Sequence, residues 1–86
     1  MTTPPLPRTL ADAPLHLACR IESIGLAVRD LGYYVHAGLR RGVLARVVAR
    51  HPERAPRFIE VELGEYLVVS LPMTLAADVV VSECWA

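Results

Sequence analysis

Alternation of apolar and polar residues, the pattern of a half-buried β-strand, recurs along this chain. It is clearest in residues 15–24, 43–50 and 58–63. In the first of these stretches the apolar face consists of Leu15, Leu17, Cys19 and Ile21. Two shorter apolar runs follow, residues 66–70 and 79–81. The sequence therefore predicts five short strands.

Between the first two strands the apolar spacing changes to that of an amphipathic helix. Residues 26–37 carry apolar side chains at positions 27, 28, 31, 34 and 35. This stripe turns Tyr34 inward and leaves Tyr33 outside. Gly38 suits the left-handed residue that commonly ends a helix. Residues 72–77 are too few for more than a single further helical turn.

One antiparallel register between the strands at 43–50 and 58–63 pairs apolar residues on the inner face and gives favourable pairs on the outer face. It predicts three inward pairs, which are Ala45 with Leu63, Val47 with Val61 and Ala49 with Ile59. The same register sets Arg46 opposite Glu62 and Arg50 against Phe58 on the outer face. Opposite charges across strands are stabilising, and a slip of one residue would turn every inward side chain to water.

Five short strands with short connections predict a mainly β fold. Closure into a barrel removes the unpaired edges of a small sheet, so we expect an SH3-like five-stranded barrel with one short helix inserted after the first strand. The opening residues 1–9 are rich in proline, which cannot join a sheet ladder, and predict a disordered tail. Residues 10–84 then form a single domain.

Composition narrows the function. An 86-residue chain buries too little surface to enclose a deep catalytic cleft, so we do not expect an enzyme. Nine basic residues balance nine acidic ones, which argues against nucleic-acid binding. No apolar run is long enough to insert in a membrane. Two cysteines without a secretion signal indicate a cytoplasmic protein.

The order of glycines and strands resembles the ferrous iron transport protein A (FeoA) family of SH3-like barrels. The matching residues are Gly38-Leu39 with Gly42 just before a strand, Ile59-x-Val61, Gly64, Ala76 and Val79-x-Val81. The resemblance covers about residues 10 to 83. It implies an accessory role without catalytic residues or cofactors: an adaptor that binds the GTPase domain of a ferrous iron permease.

Candidate partner-binding residues follow from the family match and from exposure. They are Leu39, Arg40, Arg41 and Tyr33. The two arginines begin a cluster that continues through Arg46, Arg50, Arg54 and Arg57. The favoured explanation of the cluster is a solvated face balanced by nearby glutamates, and a partner surface is the alternative, because arginine is enriched at protein interfaces. The sequence also leaves self-association into a homo-oligomer open.

A metal-linked function is the alternative. His16 and Cys19 stand three apart, so on a strand they point to opposite faces. If the first and last strands are neighbours, His16 could approach Cys84 and Glu83. The simpler expectation is a core Cys19 with Cys84 on a frayed end. The alternative function is a metal- or ligand-sensing module resembling the SH3-like C-terminal domain of iron-dependent repressors.

Overall fold

The fold is a five-stranded antiparallel sheet, seen in a computed structural model that describes residues 8–64 and 67–85. The strands are β1 (Ala18–Ile24), β2 (Leu44–His51), β3 (Phe58–Leu63), β4 (Leu67–Pro72) and β5 (Val79–Trp85). Their spatial order is β4-β3-β2-β1-β5. Each of the five strands overlaps a segment that the sequence predicts as a strand.

Short helical segments precede β1 and lie in the β1–β2 and β4–β5 connections. A 3₁₀ turn (Leu10–Asp12) precedes β1, helices α1 (Leu26–Leu31) and α2 (Tyr33–Ala37) follow it, and α3 (Met73–Ala76) links β4 to β5. The predicted single turn at 72–77 is confirmed. Within the described residues, no helix is both long enough and apolar enough to cross a bilayer.

The helix predicted over 26–37 is two helices. Gly32 adopts φ +70° between them, a conformation that glycine reaches without steric cost and that interrupts helical geometry. The break changes the direction of the apolar stripe: Val28 is fully buried, whereas Leu31, predicted to face inward, is 57% exposed. Gly38 is left-handed at the end of α2, as predicted.

The predicted register between β2 and β3 is confirmed in its first half and wrong in its second. Ala45 pairs with Leu63, Arg46 with Glu62 and Val47 with Val61. A β-bulge between Val47 and Ala49 then shifts the pairing by one residue. Beyond it the pairs are Ala49 with Glu60, Arg50 with Ile59 and His51 with Phe58. His51 therefore stacks on Phe58, with ring centroids 5.1 Å apart, where Arg50 is predicted.

Strand β1 begins later than predicted. His16 has φ +67°, so the chain turns there instead of extending, and the His16 N–H donates to the Val47 carbonyl at 2.7 Å. Leu15 is exposed as a result. Only Cys19 and Ile21 of the predicted apolar face are fully buried.

Strand β5 is longer than predicted. Cys84, expected on a frayed end, pairs directly with Cys19 of β1. At the other end of the domain, Arg8 and Thr9 already contact β5: the Val81 N–H donates to the Arg8 carbonyl at 2.9 Å, and Thr9 bridges to Val80. The remainder of the predicted tail, residues 1–7, lies outside the described residues, as do residues 65 and 66 after Gly64.

One hydrophobic core joins all five strands to the helices. Its fully buried members include Leu10, Val28, Leu39, Val47, Ile59, Val61, Leu71, Ala76 and Val79. The 3₁₀ turn, α1, the segment after α2 and α3 each place a side chain in this core (Leu10, Val28, Leu39 and Ala76), which fixes their positions on the barrel.

A candidate partner-binding surface

The segment after α2 is fixed by a helix-ending motif. The Gly38 N–H donates to the Val35 carbonyl at 3.1 Å, and the Leu39 N–H donates to the Tyr34 carbonyl at 2.8 Å. These two bonds, with Gly38 left-handed, form a Schellman motif. The motif turns Leu39 into the core, where it is fully buried. Leu39, a predicted partner-binding residue, thus anchors the segment from inside instead of offering its side chain to a partner.

Arg40 and Arg41 lie on a connection that is bonded to β1. The Gly42 N–H donates to the Ile21 carbonyl at 2.8 Å, and the Ile21 N–H donates to the Val43 carbonyl at 2.9 Å. With Leu39 buried on one side and Val43 half-buried on the other, both arginine side chains point to solvent. Their backbone is ordered before any partner binds, which reduces the entropy lost on association.

The two arginines line a cleft of about 380 Å³. Its lining residues are Glu22, Ser23, Ile24, Arg29, Val35, Arg40 and Arg41. The cleft therefore combines three guanidinium groups with one carboxylate and has apolar side chains between them. Arg41 Nη2 lies 4.0 Å from Glu22 Oε1, an exposed pair that contributes little to stability. This arrangement suits an acidic partner segment.

Arg29 is the third arginine of this cleft, and the sequence alone does not assign it to the site. It belongs to α1, well before Arg40 in the chain, and reaches the cleft because the break at Gly32 sets α1 at its own angle. A helical hydrophobic stripe gives no information about such a break.

Tyr33 is 64% exposed, as predicted, but it is not among the residues that line the cleft. Its ring contacts Tyr34 edge-to-face, with centroids 5.0 Å apart, and the Tyr34 O–H donates to the Ser70 carbonyl at 3.1 Å. Burial, with Tyr33 adding a smaller effect, raises the pKa of Tyr34. Tyr34 is thus held against the barrel and packs against the Tyr33 ring. The exposed Leu26 and Leu31 of α1 add apolar surface next to α2.

The other arginines of the predicted cluster are used differently. Arg46 Nη1 lies 4.0 Å from Glu62 Oε1, and Arg50 donates to the Ala13 carbonyl. Arg54 and Arg57 lie exposed between β2 and β3. The cluster is therefore divided, and Arg40 and Arg41 are the pair that shares a cleft.

The metal-site hypothesis requires His16 to lie near Cys84 and Glu83, and the strand register does not align them. Register places Cys84 opposite Cys19, and Glu83 opposite Arg20, so neither is aligned with His16. In residues 8–64 and 67–85, no three His, Cys, Asp or Glu side chains come together in a way that could hold a metal ion.

Comparison with known proteins gives structural matches. No protein-family model matches the chain, and no curated protein matches it. One similar solved structure is FeoA of Stenotrophomonas maltophilia, a prokaryotic SH3 domain protein crystallised with zinc. It superposes with a TM-score of 0.68 and 28% sequence identity, and the match covers 86% of this chain and 88% of that chain. An iron uptake regulatory protein, also FeoA, superposes with a TM-score of 0.66 at 23% identity, over 86% of this chain and 92% of its own.

Both structures cover most of the barrel described above, and both are FeoA proteins. The resemblance inferred from Gly38-Leu39, Gly42 and the later strands is therefore confirmed by the three-dimensional structure. The chain is mainly β, with the SH3-like barrel that the sequence predicts, and its structure is similar to those of the two FeoA proteins.

Proposed function

We propose that this protein is a non-enzymatic accessory protein of bacterial ferrous iron transport, which binds the GTPase domain of the permease. The observation that carries the proposal is the likeness to the Stenotrophomonas maltophilia protein, which spans 86% of this chain. That protein is proposed to act as a bacterial ferrous iron transport activating factor, and the second structure is described as an iron uptake regulatory protein. A role alongside a GTPase-bearing permease implies a cytoplasmic location.

The geometry supports binding through the cleft at Arg40 and Arg41. Three guanidinium groups face one carboxylate there, so the cleft carries local positive charge although the whole chain is neutral. Guanidinium groups recognise carboxylates with two parallel hydrogen bonds. A partner that presents acidic side chains would therefore be held and oriented at this cleft, while Tyr33 adds an exposed aromatic ring of the kind that concentrates binding energy.

Direct binding to the purified GTPase domain of a ferrous iron permease tests the proposal. We expect saturable binding that weakens as salt rises from low to moderate concentration, because exposed charges are screened. A domain that does not bind at low salt would contradict the proposal.

Titration with ferrous iron and with zinc, in the absence of the permease domain, separates the metal-sensing alternative. An adaptor binds neither metal tightly. Tight metal binding by a protein that fails to bind the permease domain would favour the sensing module.

A further inference from the structure

Two thiols lie directly opposite each other on neighbouring strands. Cys19 of β1 pairs with Cys84 of β5 in an antiparallel register, and both are free cysteines. Directly opposite residues of an antiparallel pair share a face of the sheet, with Cα atoms about 4.5 to 5.5 Å apart. A disulfide needs Cα atoms about 4.4 to 6.8 Å apart. The register alone therefore brings the two cysteines within bridging range.

The end of β5 is held in this register from both sides of Cys84. Trp85 pairs with Ala18 and lies beneath the Arg20 guanidinium, 5.5 Å from the ring centroid. On the other side, Glu83 pairs with Arg20, which sets opposite charges across the strands. The alignment of the two thiols is thus supported by neighbouring contacts.

The two thiols differ in access to solvent. Cys19 is fully buried, whereas Cys84 is only partly buried and packs at the margin of the core. Burial, with a further contribution from the Cys84 side chain, raises the pKa of Cys19 to about 12. Because the thiolate is the attacking species and the attack requires access, Cys84 reacts first with a reagent from solution.

We propose that Cys19 and Cys84 form a dithiol pair that low-molecular-weight disulfides oxidise to an intrachain bridge between β1 and β5. In the first step the Cys84 thiolate attacks one sulfur of the small disulfide, which breaks and releases one thiolate. In the second step the Cys19 sulfur attacks the Cys84 sulfur, the mixed disulfide bond breaks, and the Cys19 proton passes to the departing thiolate, which leaves as the second small thiol. The protein dithiol loses two electrons and two protons, and the small disulfide is reduced to two thiols.

The bridge would join the first strand of the barrel to the last. It would close a loop of most of the chain, and constraining so long a loop lowers the entropy of the unfolded state strongly. We therefore expect the oxidised protein to be more resistant to unfolding, with the C-terminal strand fixed to β1.

Incubation of the folded, full-length chain with oxidised glutathione tests this proposal. We expect a monomer that has lost both free thiols and about 2 Da, that melts roughly 10 °C higher, and that returns to its original mass with dithiothreitol. The intermediate between the two steps is a glutathione adduct on Cys84. A wild-type protein that keeps both thiols, stops at the adduct or forms only intermolecular dimers would overturn the proposal.

Two single variants test which cysteine reacts with glutathione and which one closes the bridge. Cys19→Ala should accumulate one stable glutathione adduct at Cys84, and Cys84→Ala should not react while folded. A stable adduct on Cys19 in folded Cys84→Ala would contradict the proposed order. The wild-type mass measurement decides whether the bridge forms even where a variant fails to fold.

Discussion

The backbone N–H of Gly42 donates a hydrogen bond of 2.8 Å to the carbonyl oxygen of Ile21. Ile21 is buried in the centre of β1, so this bond ties the connection carrying Arg40 and Arg41 to a core residue of the barrel. The proposed binding cleft is therefore positioned by the backbone and the core, and exchanging Arg40 and Arg41 removes only the exposed ion pair between Arg41 and Glu22.

The helix-ending motif at Gly38 gives the first prediction. Gly38 has φ +111°, and a Cβ there would meet nothing within 4 Å, so a substitution is costly through backbone conformation alone. Gly38→Ala should lower the free energy of unfolding by about 1 kcal/mol, and Gly38→Asn by less, because asparagine tolerates left-handed conformations better. Chemical denaturation measures both. Equal losses for the two variants would show that backbone conformation is not the cause.

The buried pairs between β2 and β3, where the predicted register is confirmed, give the second prediction. Val61 is fully buried opposite Val47, and Val61→Ala should cost about 1 to 3 kcal/mol by removing buried methyl groups and leaving a void. Val68→Ala, on the exposed side of β4, is the matched control and should cost under about 0.5 kcal/mol. A loss below about 0.3 kcal/mol for Val61→Ala would contradict the burial of this strand face.

The turn at Asp12 predicts a dependence of stability on pH. Its carboxylate accepts hydrogen bonds from the N–H groups of Thr9 and Arg8, at 2.8 and 3.2 Å. Burial raises the pKa of Asp12, but these bonds outweigh it and hold the pKa below the ordinary value of 3.8. The stabilisation is thus fully present above pH 3.8 and is lost as pH falls through the lower folded-state pKa.

Two variants measure that contribution. Asp12→Ala should lose about 0.5 to 1 kcal/mol at neutral pH, and its difference from wild type should shrink in acid. Asp12→Asn keeps an acceptor oxygen without a titrating charge, so it should lack this component of the acid dependence. If the wild type and Asp12→Ala lose stability in parallel below pH 3.8, the carboxylate does not contribute as described.

The strands and the glycine that ends the helical segment could be predicted from the sequence, because both depend on local sequence patterns. Alternation fixes which side of a strand is buried, and a glycine after an apolar stripe signals a helix end. The bulge between Val47 and Ala49 could not be predicted, because Val47, Val48 and Ala49 are all apolar and no alternation marks the extra residue. His51 consequently pairs with Phe58, where Arg50 is predicted, and Arg50 pairs with Ile59, where Ala49 is predicted.

The candidate site was predicted in part. Arg40 and Arg41 line the cleft and Tyr33 is exposed, whereas Leu39 is an internal anchor. Arg29 joins them through the angle between α1 and α2, which depends on the conformation of Gly32 and on packing of Val28 in the core. The pairing of Cys84 with Cys19 likewise depends on how far β1 and β5 extend alongside each other, which sequence patterns after Val81 do not indicate.

The most direct test of the proposed function compares two charge reversals in binding to the permease GTPase domain. Arg40→Glu with Arg41→Glu inverts the cleft, and Arg54→Glu with Arg57→Glu makes the same change in net charge in the exposed loop between β2 and β3. We expect both double variants to fold as wild type, because none of the four side chains is buried.

Binding is measured at low and at moderate salt for wild type and both variants. We expect the Arg40 and Arg41 variant to bind at least tenfold more weakly at low salt, which corresponds to about 1.4 kcal/mol, and to lose the salt dependence of the wild type, while the Arg54 and Arg57 variant binds as wild type. Wild-type binding by the folded Arg40 and Arg41 variant at both salt concentrations would contradict a partner surface at this cleft.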